Sequence, residues 1–75
     1  MAKNNQKIKE ALAEKILFKL NDISIILDRF NLKISHSEYA EKAGLAESTY
    51  YMVLKGEASV DSALKICKVL NIELL

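Results

Sequence analysis

The chain has 75 residues, 51% hydrophobic and 28% charged, with no Pro, no Trp, two Gly and a formal net charge of +1. That length allows one small core and is too short for a cleft walled by two layers of structure, while the apolar content excludes a disordered chain. One Cys and one His cannot form an intrachain disulfide or a zinc site, and no apolar run reaches the roughly 18 residues that span a bilayer.

So few chain breakers point to helices joined by short turns. The lone thiol of Cys67 fits a reducing compartment, and the early lysines lead into no apolar leader core. A cytoplasmic protein is expected, with no membrane association, no cofactor and no metal. Charge is unevenly spread: Lys3, Lys7, Lys9, Lys15 and Lys19 against Glu10 and Glu14 leave residues 1–20 at +3, whereas residues 21–50 stand at −2 and the remainder balances. The first segment would carry any long-range attraction to a polyanion.

Residues 1–6 read as a flexible basic arm. From there, apolar residues at 8, 12, 16, 20, 23, 27 and 30 step by three and four, which predicts an extended N-terminal helix over 7–30. Asn21, Asp22 and Ser24 compete for backbone hydrogen bonds and predict a break or kink there, giving a helix pair. Leu17, Phe18, Ile25 and Ile26 widen the stripe, so the helix would be buried on two sides, in its own domain and in part against a second chain.

Asn31 to Ile34 is a connector. Ser35-His36-Ser37-Glu38 matches a capping box opening a short helix to Ala43, which Gly44 stops. Leu45 and Ala46 complete a turn, a further helix runs from Glu47 to Lys55, and Gly56 ends it. Ser59 or Asp61 can cap a closing helix over 60–71, with Ile72, Glu73, Leu74 and Leu75 as a tail. Ile66, Val69, Ile72, Leu74 and Leu75 form a second apolar candidate interface.

Residues 35–56 thus hold two short helices around a glycine turn. Tyr39, Ala40 and Ala43 share one face of the first, and Tyr50 and Val53 face inward on the second, a helix-turn-helix arrangement. The outward face is then Glu47, Ser48, Tyr51, Met52 and Lys55, and an exposed helix of that size fits the DNA major groove.

The ordered set Ile34, Ser35, Tyr39, Ala40, Gly44, Leu45, Ser48, Thr49, Tyr50, Val53, Gly56, Leu64, Ile66, Leu70 and Ile72 resembles the Xre, Cro and lambda-repressor-like helix-turn-helix regulators. The resemblance spans roughly residues 25–74 and implies an all-α domain of four or five short helices. By position, it also implies base contacts from Glu47, Ser48, Thr49, Tyr51 and Met52, with Lys55 near phosphate. His36 stands where the family often places a phosphate-clamping Gln, and a homodimer on a two-fold site is the family's usual arrangement. This recognition helix carries no Arg, and Glu47 can only accept, for instance from cytosine.

Bland alternatives stand beside these roles. His36 is either a phosphate contact or an exposed first-turn residue. Lys3, Lys7 and Lys9 either reach phosphate and minor groove or solubilise a helix start. Tyr51 lies in a contact surface, for bases or for protein, or is merely solvated. Cys67, inward with Ala63 and Leu70, is a small core residue.

The expected function is a sequence-specific duplex DNA-binding transcriptional regulator, a repressor acting as a homodimer. Two alternatives are an antitoxin that binds both its operator and a toxin, and a helix-turn-helix-derived protein-interaction module with a co-regulator as partner. With one His and no phosphate-cradling glycine loop, the chain offers no nucleophile and base pair and is not expected to be an enzyme.

Overall fold

The computed structural model describes residues 2–73, with side chains from residue 5 onward. Four helices follow one another: α1 (Ala2–Asp28), α2 (His36–Ala43), α3 (Glu47–Leu54) and α4 (Val60–Val69). The described residues are helices, turns and short irregular connections, with no strand among them. The 27 residues of α1 make a rod of about 40 Å at 1.5 Å per residue. It sets the long axis of a molecule measuring 44 × 24 × 18 Å.

Leu12, Ile16 and Leu20 of α1 point into a core completed by Ala40, Tyr50, Val53, Ala58, Ala63, Ile66, Cys67 and Leu70. α4 packs against each of the other three helices, and α1 also packs on α3. Ile16 and Ile66 are fully buried, and each such side chain contributes about 1.5–3 kcal/mol relative to exposure. The stripe read from the sequence faces inward only over its middle: Ile23 and Leu27 are half-buried, whereas Ile8 and Phe30 at its ends stay exposed. Ile66 belongs to the core, and Val69 and Ile72 are half-buried, so that end is less free an interface than its composition suggests; Leu74 and Leu75 lie outside the described residues.

All four helices end in the same way. Asn31, Gly44, Gly56 and Asn71 each take positive φ, at 58°, 71°, 74° and 58°. At each, the next residue's N–H returns to a carbonyl five residues back (Leu32 to Leu27, Leu45 to Ala40, Glu57 to Met52, Ile72 to Cys67), at 2.9 Å in every case. This is the Schellman geometry, and Asn is the residue after Gly that best accepts the left-handed backbone.

Three expectations are corrected here. The helix begins at Ala2, so residues 2–6 are helix and no arm; Ala, Lys and Gln are good helix formers. Gln6 is also tied down, its Nε2 donating to Glu10 Oε2 at 3.1 Å and to the Gly56 carbonyl at 3.3 Å. Met1 lies outside the described residues. Nor is α1 broken at Asn21–Ser24: Asn21, Asp22 and Ser24 all face solvent, where water satisfies their side chains, while Leu20 and Ile23 keep the helix seated on the core. The capping box does not form. Ser35 makes no side-chain cap bond, and its hydroxyl lies 3.3 Å from that of Ser37.

Ser59, in contrast, does cap α4, its Oγ accepting from the Ser62 N–H at 3.2 Å. Ser59→Ala is therefore expected to cost about 0.5–2 kcal/mol in urea denaturation, and Ser35→Ala clearly less.

Candidate nucleic-acid interface

α3 is an eight-residue helix whose inner face is fixed by Tyr50 and Val53, both essentially inaccessible. With those two inside, helical geometry turns Glu47, Ser48, Tyr51 and Met52 outward, and all four are exposed. Tyr51 and Met52 each keep 43% of their surface open. Thr49 is half-buried on the flank, and Lys55 is exposed at the C-terminal end of the helix. Lys7 is exposed and Lys9 half-buried on α1, while the side chain of Lys3 lies outside the described residues.

His36 is not the exposed first-turn residue that the sequence offered as one of its two alternatives. It is half-buried, and its Nδ1 lies 2.8 Å from the Tyr50 hydroxyl oxygen. Its ring leans on Tyr50 and Tyr51 at centroid distances of 5.6 and 5.8 Å, and those two tyrosines meet edge to face at 5.3 Å. Burial, with smaller contributions from the Tyr51 and Tyr39 phenols, pushes the Tyr50 hydroxyl up to about 12. The hydroxyl therefore keeps its proton at neutral pH. When it donates that proton to Nδ1, the His36 Nε2–H becomes the free donor of the ring. The trio braces the N-terminus of α2 against the middle of α3 and fixes the angle at which Tyr51 projects.

The far end of α3 is held from α1. Gly56 is buried, and the Gln6 bond to its carbonyl joins residues fifty apart in sequence. Nothing local in the sequence signals this anchor, which sits where an arm was expected; the acceptor is a backbone carbonyl with no residue signature. The surface offers Ser48 and Thr49 hydroxyls, a Tyr51 phenol, the Met52 thioether and the Glu47 carboxylate. These are hydrogen-bonding and apolar groups suited to reading an edge, without an activated nucleophile. Among the described residues no group of three or more His, Cys, Asp or Glu could hold a metal, and no helix is long and apolar enough to cross a membrane.

The family model described as Helix-turn-helix matches residues 26–75, which include α2, α3 and α4. Neither a curated protein nor a solved structure gives a significant match.

Proposed function

The chain belongs to the helix-turn-helix family, of the Xre and lambda-repressor-like kind that binds DNA and regulates transcription, and from that premise we propose a sequence-specific repressor that grips duplex DNA as a homodimer. α3 enters the major groove. Ser48, Tyr51 and Met52, with Glu47 and Thr49 at the margins, meet base edges. Lys55, the Nε2–H of His36, and Lys3, Lys7 and Lys9 on the first turns of α1 meet phosphates. Lysines on a rigid helix replace the arm as the route to the backbone. The observation that carries this reading is the division of two adjacent tyrosines: Tyr50 is wholly inside while Tyr51 keeps 43% of its surface in solvent.

The test is a set of single substitutions read by duplex binding. Ser48→Ala and Tyr51→Ala are each expected to lose roughly 1–3 kcal/mol on the cognate site and little on random duplex. Lys55→Ala should weaken all sequences alike and lower the salt slope by about one. Equal, sequence-independent losses from all three would refute these roles. A second reading, a module that binds a protein such as a toxin, draws on the exposed apolar side chains of α1. It calls for no duplex binding even at low salt if the DNA role has been lost, and for duplex binding plus co-purification of the partner if the chain is an antitoxin.

A further inference from the structure

The side of α1 facing away from its own domain is apolar in a patterned way. Ala11, Phe18 and Ile25 lie seven residues apart, two helical turns each, so they form one stripe along the rod. Phe18 is 70% exposed and Ile25 50%, with Leu17 at 47% and Ile26 at 55% on the two flanks. A solvent-facing phenylalanine flanked by three exposed large aliphatic side chains on one helix is the composition of an interface.

The two edges of this stripe differ. One edge, with Leu17, Asn21 and Ser24, borders a groove whose other wall is Ile34, His36 and Leu54, on the α3 side of the molecule. The other, with Lys15, Lys19 and Asp22, borders a groove closed by Asn71, Ile72 and Glu73.

We infer that this face pairs with the same face of a second copy, the two α1 rods running antiparallel about a two-fold axis that passes beside Phe18. The inference deepens the homodimer reading above by naming its surface. Two features select a second copy. First, the charges are self-complementary. Lys15 and Asp22 stand on one edge, three residues before and four residues after Phe18, so they flank the proposed axis nearly symmetrically. In an antiparallel pair like edges meet, so Lys15 of one protomer lies opposite Asp22 of its partner, and the reverse pair forms by symmetry. The same register sets Phe18 against its symmetry mate and Ala11 against Ile25 and Ile26, a small residue against large ones. Second, because like edges meet, the Leu17 edges of both protomers fall on one side of the dimer, and each carries its own α3 there. A two-fold duplex site requires both α3 helices on one side.

Sedimentation velocity of the full chain over a concentration series is the test, with circular dichroism to show that each variant is folded. The residues changed are exposed, so the fold should persist. The chain is expected to be a dimer, and Phe18→Glu or Ile25→Glu should weaken self-association at least roughly thirtyfold, as for a central hot spot. Lys15→Asp and Asp22→Lys should each weaken it several-fold, and the double exchange should restore it. A chain that stays monomeric up to the highest concentration reached overturns the proposal, as does a dimer indifferent to Phe18→Glu and Ile25→Glu. Failure of the double exchange to restore pairing overturns the antiparallel register. Duplex binding measured on the same samples separates the two readings: a dimer through Phe18 that binds no DNA keeps this surface and removes the DNA role, whereas a monomer that binds DNA does the opposite.

Discussion

Tyr50→Ala is expected to leave the chain only marginally stable at room temperature, with a folded state worth no more than about 2 kcal/mol. Tyr50 is the largest of the fully buried side chains, at 0% exposure, and its ring touches both His36 and Tyr51. Deleting an aromatic ring from such a site costs about 3–5 kcal/mol, against a total stability of about 5–15 kcal/mol for a folded domain, with small domains at the low end. Tyr50→Phe separates packing from polarity. It keeps the ring and removes only the 2.8 Å contact with His36, so urea denaturation should show a loss of about 0.5–1.5 kcal/mol. The same pair gives a sign to pH. The folded state holds the Tyr50 hydroxyl at about 12, above the unfolded value of about 10. This group's contribution is thus fully present below pH 10 and is lost as pH rises towards 12, because the unfolded chain releases the proton first. The wild type should lose stability more steeply than Tyr50→Phe across that window. Equal alkaline slopes for the two proteins would show that the hydroxyl is not held in this way.

How far the sequence discloses this fold depends on whether the deciding interaction is periodic. The inward stripe of Leu12, Ile16 and Leu20, and the inward pair Tyr50 and Val53, follow from helical spacing alone, and the outward identity of Glu47, Ser48, Tyr51 and Met52 follows from them. Periodicity says which face turns inward and not how far the neighbours extend. Ile8 and Phe30 continue the stripe yet project beyond the elements that could cover them. Helix ends are legible only in part. Gly44 and Gly56 mark two of them, whereas Asn31 and Asn71 perform the same backbone task at φ 58° with a side chain common in any loop. The apparent capping motif at Ser35 misleads, since the hydroxyl of Ser37 engages it first. Least legible are contacts between distant residues. The bracing of Tyr50 by His36 and the anchoring of Gly56 by Gln6 are single hydrogen bonds whose partners share no pattern, yet together they set the tilt of α3.

That anchoring predicts a second large effect, at Gly56. Gly44 and Gly56 both hold positive φ, 71° and 74°, so any side chain at either pays a left-handed penalty of about 1–2 kcal/mol. Their surroundings differ. A Cβ at Gly44 would meet nothing within 4 Å, whereas one at Gly56 would lie 3.4 Å from Glu10 Cγ and 3.5 Å from Glu10 Cα. Alanine just fits that space, so Gly44→Ala and Gly56→Ala should lose similar amounts. Valine does not fit it, because its methyl groups would have to displace the backbone of α1, an overpacking cost of typically 1–3 kcal/mol more. Gly56→Val should therefore be destabilised beyond Gly44→Val by about that difference in chemical denaturation. It should also lose duplex affinity at temperatures where it remains folded, because pushing α1 from the end of α3 strains the Gln6 bond and tilts the recognition face. Gln6→Ala supplies the control: it removes the bond without the wedge, and should lower affinity with a much smaller loss of stability. Equal stability of the two valine variants would mean that α1 yields freely, and that the rod does not hold α3 in position.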